Sequence, residues 1–223
     1  MNCRSGFCPS TSSTLQLRMA TDNGPGKSIA GSPSGAERDR LSHRALVGVF
    51  TPSIAFVDHA LGPITAGIEL IEYSDFESPS CAQAYHAIGI LLRQFEHRIR
   101  FVFRHFPLVE IHPHAELAAE AAEAAAAQGE FWAMRGRLFE NQQHLKTKDL
   151  RKYAGEIGLD LERYDSEMSD HIYLQRVQEH LVSGRLRGVR GSPAFFLNGE
   201  VVDASFGLHA LEDAVEHIDQ TLP

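Results

Sequence analysis

Asp75-Phe76-Glu77-Ser78-Pro79-Ser80-Cys81 places a hydroxyl and a thiol three residues apart, where a helical pattern begins at Pro79. The thiolate is the form of cysteine that attacks a disulfide sulfur, and the first turn of a helix favours it. Cys81 lies one turn inside that start, so it should be less accessible and a poor first attacker. The serine hydroxyl cannot form a stable disulfide, and Cys81 cannot close one inside this turn without a second thiol. Ser78 and Cys81 are therefore the candidate catalytic residues, for monothiol or non-redox chemistry. Ser78 has a plainer role as well. Serine at an N-cap followed by proline at N1 is a favourable helix start, with the serine oxygen placed to accept from the Cys81 N–H. Glu72, Asp75 and Glu77 flank the turn. They read as a solvated acidic loop, but an inward-pointing Glu72 or Asp75 would raise the Cys81 pKa.

The remaining candidates are weaker. His112 and His114 flank Pro113, but no third and fourth ligand stands nearby at a suitable spacing, and no metal is expected. Cys3 and Cys8 do not match a common zinc spacing, and neither is expected to pair with Cys81. Three cysteines fit a reducing compartment better than a disulfide framework.

The elements that must position the turn follow from hydrophobic period. Residues 64–74 read as a strand through Ile68, Leu70 and Tyr73. Tyr85, Ile88, Leu91, Leu92 and Phe95 form one face of a helix. Residues 99–106 read as a second strand, with Phe101 and Phe103 on one face and Pro107 as its stop. Residues 113–187 read as helical, punctuated by Gly129 and Gly158. Residues 194–197 and 200–202 flank Asn198-Gly199, a two-residue hairpin signal. Leu211, Ala214, Val215 and Ile218 close the chain as an amphipathic helix. This order predicts an α/β fold in which a β-α-β unit and a β-β-α unit share one sheet.

Of 223 residues, 43% are hydrophobic, enough for one sizeable core. The formal charge of −8 is uneven: residues 1–45 are net +3 and the remainder net −11. An acidic body argues against nucleic acid as a partner, because phosphate binding needs clustered Lys and Arg. Residues 1–44, rich in Ser, Gly, Pro and charge, are expected to be a disordered leader, with 45–62 as a linking segment and the ordered domain over 63–223. Met19 is an alternative start to Met1. The opening residues hold no apolar run of signal-peptide length, and residues 45–56, interrupted by Pro52, are too short to span a bilayer. The expected localisation is cytoplasmic, without a membrane span; the oligomeric state is open.

Several separated motifs resemble DsbA-like proteins of the thioredoxin fold. Asp75-Phe76-x-x-Pro79-x-Cys81 is similar to their active-site turn. Phe103-Arg104-His105-Phe106-Pro107-Leu108 with His112-Pro113-His114-Ala115 is similar to their second strand and the start of their helical insertion. Gln128-Gly129-x-Phe131-Trp132 and Leu138-Phe139-x-Asn141-Gln142 resemble the insertion helices. Gly188-Val189-x-Gly191-Ser192-Pro193-Ala194-Phe195-Phe196-x-Asn198-Gly199 resembles the cis-proline loop and hairpin. The resemblance covers about residues 58–217 and extends to thioredoxin-like domains fused behind sodium/proton antiporters.

It implies a thioredoxin-like fold with a helical insertion over about 113–187, a cis Pro193, and a thiol-disulfide oxidoreductase ancestry. Pro79, Ser192 and Pro193 would be substrate-binding residues, Ser192 through its backbone. The departure is Ser78, which stands where the family carries its nucleophilic cysteine, leaving a divergent, weakly active or monothiol member. Two alternatives follow. One is a non-catalytic module binding a peptide or an anion. The other is a glutathione-dependent transferase or isomerase, because kappa-class glutathione transferases and 2-hydroxychromene-2-carboxylate isomerases carry Ser-Pro at this turn. No cofactor is required, glutathione being the one candidate, and the expected partner is a peptide or a small thiol.

Overall fold

In the computed structural model, the described residues are 58–204 and 207–222. The leader expected over 1–44, the start site, and all but the end of the linking segment 45–62 lie outside them. The chain runs through β1 (His59–Leu61), β2 (Ile68–Ser74), α1 (Pro79–Gln94) and β3 (Ile99–His105). Five helices follow: α2 (Ala115–Ala126), α3 (Phe131–Glu140), α4 (Thr147–Glu156), α5 (Leu161–Ser169) and α6 (Leu174–Leu186). It closes with β4 (Ala194–Leu197), β5 (Glu200–Val202) and α7 (His209–Thr221).

All five strands share one sheet, ordered β1-β3-β2-β4-β5. β2 and β3 are parallel, with Leu70 opposite Phe101 and Glu72 opposite Phe103. A parallel pair needs a crossover, and α1 supplies it. β4 runs antiparallel to β2 and returns as β5. Asn198 and Gly199 both have positive φ, 47° and 88°, as a tight hairpin turn between right-twisted strands requires.

Alternate residues of the central strands bury into different clusters. Ile68, Leu70, Phe101, Phe103, Phe195 and Leu197 join Ile88 and Leu91 of α1, the insertion, and Leu211 and Val215 of α7. Ile71, Tyr73, Val102 and Phe196 form a smaller cluster with Phe106 and Val189. Burial on both faces explains why 68–74 reads as nearly continuous apolar sequence rather than strict alternation.

Two boundaries differ from the sequence reading. β2 begins at Ile68, not 64: residues 63–66 form a turn closed by Ala66 N–H to Pro63 O, leaving Ile64 exposed. The sheet also starts before residue 63. β1 pairs antiparallel with β3, and Asp58 just ahead of it holds Arg104 through two hydrogen bonds of 2.7 and 3.1 Å. A three-residue edge strand without β-branched residues carries little pattern of its own.

Candidate functional site

Asp75 at the end of β2 organises the turn. Its Oδ1 accepts from the Glu77 N–H, while Oδ2 accepts from the Leu108 N–H and pairs with His112 Nδ1, each at 2.8 Å. Glu77 similarly accepts from the His114 N–H at 2.7 Å and pairs with His114 Nδ1 at 2.9 Å. Asp75 and Glu77 thus turn away from open solvent and staple the turn to the segment after β3. This is a structural use of the two histidines flanking Pro113. Gln142 adds a third staple, its amide donating to Phe76 O and Ser78 O at 2.8 Å each. Phe76 packs between Phe103 and Phe139.

Ser78 is the N-cap of α1 and Pro79 its first residue, as expected, but the hydroxyl does not cap. The Ser78 carbonyl instead accepts from the Cys81 and Ala82 N–H groups at 3.1 and 3.2 Å. The hydroxyl lies near the Cys81 sulfur and weakly favours its thiolate. Ser78 is itself only 4% exposed.

Cys81 is fully buried. Its sulfur accepts from the Asp75 N–H at 3.4 Å. Burial pushes the thiol up to about 11, the charge of Glu72 adds to the rise, and hydrogen bonds from Ser74, Asp75 and Ser78 offset only part of it. The acidic residues read from sequence as a solvated loop, but Glu72 points inward, which is the case in which it raises the Cys81 pKa. It is fully buried, accepts from Ser74 Oγ at 2.7 Å, and pairs with Arg135 Nη2 of α3 at 3.2 Å. Burial raises the Glu72 pKa against the pull of Arg135. The Arg135 guanidinium lies about 5 Å from the Tyr85, Phe103 and Phe139 rings, which present their negative faces to it. Its own pKa is lowered by burial.

The Ser192–Pro193 bond is cis. Ser192, Pro193, Ala194 and Phe195 line one side of a cavity of about 740 Å³; Ser80 and Gln83 of α1, with Val202, Asp203, Ala204 and Leu208, line the rest. The structure therefore brings Ser192 and Pro193 to a groove against the first turn of α1. Ser78, Pro79 and Cys81 are not among its walls.

A second polar cluster escaped the sequence reading. His59 Nε2 and His105 Nε2 both meet Glu123 Oε1 at 2.8 Å, and Arg176 Nε meets Glu123 Oε2 at 3.0 Å. The His180 ring stacks on His105, and its Nδ1 accepts from the His105 N–H at 3.2 Å. His59, His105 and Glu123 offer three metal-ligand atoms within 4.8 Å of one another. Arg176 already neutralises the carboxylate, although His105 Nδ1 is buried without a hydrogen-bond partner among the described residues. Burial would raise the Glu123 pKa, but hydrogen bonds from both histidines win and hold it well below the usual range. Burial lowers His105, and burial with the neighbouring His105 and Arg176 charges pushes His180 down to about 2. Its residues lie at 59, 105, 123, 176 and 180, so no local spacing announces the cluster. The only local signal is a run of Ala and Glu in α2 with Glu123 on its inner face.

The thioredoxin family model matches residues 56–217. Among curated relatives, the chain is 41% identical over 179 residues to the Na(+)/H(+) antiporter NhaA 1 of Salinispora arenicola, covering 77% of this chain and 27% of the relative. It is 36% identical over 160 residues to the Na(+)/H(+) antiporter NhaA of Herminiimonas arsenicoxydans, covering 72% and 25%. The chain thus spans roughly a quarter of the length of these relatives. Among solved structures, it is similar to the thiol-disulfide exchange protein alpha-DsbA2 of Wolbachia pipientis (TM-score 0.67, 16% identity, 83% and 100% of the two chains covered). It is also similar to BdbD of Bacillus subtilis (TM-score 0.65, 18% identity, 72% and 92% covered). No helix among the described residues is long and apolar enough to cross a membrane.

Proposed function

The chain belongs to the thioredoxin family, and from that premise we propose that it is a binding module of DsbA-like architecture, holding an extended peptide at the cis-Pro193 groove without dithiol exchange. The observation that carries this reading is the state of Cys81. It is the only cysteine of the turn, fully buried, with its thiol pushed up to about 11. A thiol that is neither ionised nor accessible is a poor nucleophile. Residual monothiol chemistry would need α1 to open first.

The groove keeps what a peptide needs. Ser192 and Pro193 lead into the start of β4, and no hydrogen bond ties the Ser192 N–H to another described backbone group. A peptide strand can pair there as it would at a sheet edge. Phe195, Val202 and Leu208 supply apolar wall, and Ser80, Gln83 and Asp203 supply polar wall.

Titration of the isotope-labelled chain with uncharged extended heptapeptides, read by amide chemical shifts, tests the reading. Saturable shifts at Ser192, Ala194 and Val202, kept in Cys81→Ala, support it. If every peptide tried fails to bind, or binding is lost in Cys81→Ala, the reading fails.

A further inference from the structure

Behind the cis-Pro193 loop lies a second cavity of about 330 Å³, lined by residues 187–194 with Phe196 and Val201. Ser192, Pro193, Ala194 and Val201 wall both cavities. Arg187 stands at the end of α6 with its guanidinium 5.4 Å from the Phe196 ring. Its Nε and Nη1 are buried and have no hydrogen-bond partner among the described residues, and the same holds for Ser192 Oγ, which lines the same cavity. Arg190, also in the wall, is exposed.

Arg187 as a whole is half-buried, but its two buried nitrogens give up their hydration without an acceptor in return, and buried polar atoms are normally paired. The nearest carboxylates do not complete it. Asp58 is committed to Arg104 at 2.7 Å. Glu69 is close enough to interact by charge but makes no ion pair with Arg187. Arg104 and the Tyr73 phenol also face the group, and Arg104 adds a repelling charge. Gly188 and Gly191 leave open space where a side chain would stand, so a ligand can approach the loop backbone. The N–H groups of Arg190, Gly191 and Ser192 bond to no other described backbone group.

We propose that this cavity is an anion subsite, in which Arg187, Arg190 and Ser192 Oγ receive a carboxylate from a peptide lying across the cis-Pro193 loop. The peptide source rests on the reading of the neighbouring groove; the anion site itself does not. A guanidinium fork matches the two oxygens of a carboxylate, and the shared wall lets one extended chain reach both cavities. Inorganic phosphate has the same chemistry and serves as the free-anion probe.

Two heptapeptides with blocked ends, identical except for Glu or Gln at one position scanned along the chain, test it. At low salt the Glu peptide should bind about tenfold tighter at its best position, as a charge-assisted pair allows. The preference should vanish in Arg187→Gln and shrink in Arg190→Gln. Arg190 is exposed, so that variant keeps the test open if Arg187→Gln fails to fold. Equal binding of Glu and Gln peptides at every position overturns the subsite while sparing the peptide-binding reading. If neither peptide binds, phosphate decides. A saturable shift of the Arg187 Nε–H resonance, absent in Arg190→Gln, supports an anion site filled by a free anion; no shift overturns it.

Discussion

Replacing Glu72 with Gln should make Cys81 a stronger acid. In the native protein the thiol stands near 11, raised first by burial and then by Glu72. At neutral pH its thiolate fraction is about 10⁻⁴, against roughly 3% for an unperturbed thiol near 8.5, a deficit of about 300-fold. Glu72→Gln removes the charge that opposes the thiolate and frees Arg135, 3.2 Å from the lost carboxylate, to stabilise it. Each pKa unit gained is a tenfold rise in thiolate and about 1.4 kcal/mol. The assay is ultraviolet thiolate absorbance against pH, with Cys3 and Cys8 replaced by Ser, alongside the rate of alkylation by iodoacetamide. Native protein should titrate near 11 and alkylate at least two orders of magnitude more slowly than the denatured chain; Glu72→Gln should titrate at least one unit lower. Opening of a destabilised variant would also speed alkylation and bring the titration to the ordinary thiol value, so the shift is read on Glu72→Gln shown to be folded by an unchanged circular dichroism spectrum and a urea midpoint above the working conditions. A native midpoint at or below 9 would mean that burial does not suppress the thiolate, and an unchanged midpoint in Glu72→Gln that the carboxylate does not act on Cys81.

Three further outcomes follow from the packing and the charges. Arg135→Met should destabilise the fold by about 3–5 kcal/mol in urea, because it leaves Glu72 buried and unpaired; adding Glu72→Leu should recover most of that, and additive losses would contradict it. Gly184→Ala should cost about 1–3 kcal/mol, since a methyl there would sit 2.8 Å from the Phe106 ring and 3.0 Å from that of Tyr73; an unchanged denaturation midpoint would show that the rings give way. Acid should unfold the protein early. His105 and His180 have lowered folded-state pKa values, so the unfolded chain binds protons first, and stability is lost as pH falls below about 6.5 by roughly 1.4 kcal/mol per unit for each histidine still neutral. Glu123, also depressed, adds its loss below about 4.5. A urea midpoint that stays flat from pH 7 to pH 4.5 would exclude this network as the acid-sensitive element.

The sheet and its hairpin were legible because their signals are local. Asn198-Gly199 demands a tight turn, and the aromatic run of β3 needs two buried faces. Ser192-Pro193 was recognisable from its surrounding loop; the acidic residues near the turn read as solvated, with an inward Glu72 or Asp75 only as the alternative. Other features depend on residues far apart in the chain. The Ser78 hydroxyl does not cap the helix N–H groups. Glu72 meets Arg135 across 63 positions, and His59 meets Glu123 across 64. β1 is held by Asp58 reaching Arg104, which a three-residue strand does not advertise. Arg187 is marked out by two buried nitrogens without a partner among the described residues, a feature read only in three dimensions.

Whether this turn exchanges disulfides is read from turnover. Insulin reduction and the oxidation of reduced ribonuclease should be measured for the native chain and for Ser78→Cys. Native rates should lie near background, with Ser78→Cys gaining a titratable dithiol and measurable turnover. Turnover by the native chain at rates typical of dithiol oxidoreductases, lost in Cys81→Ala, would contradict it.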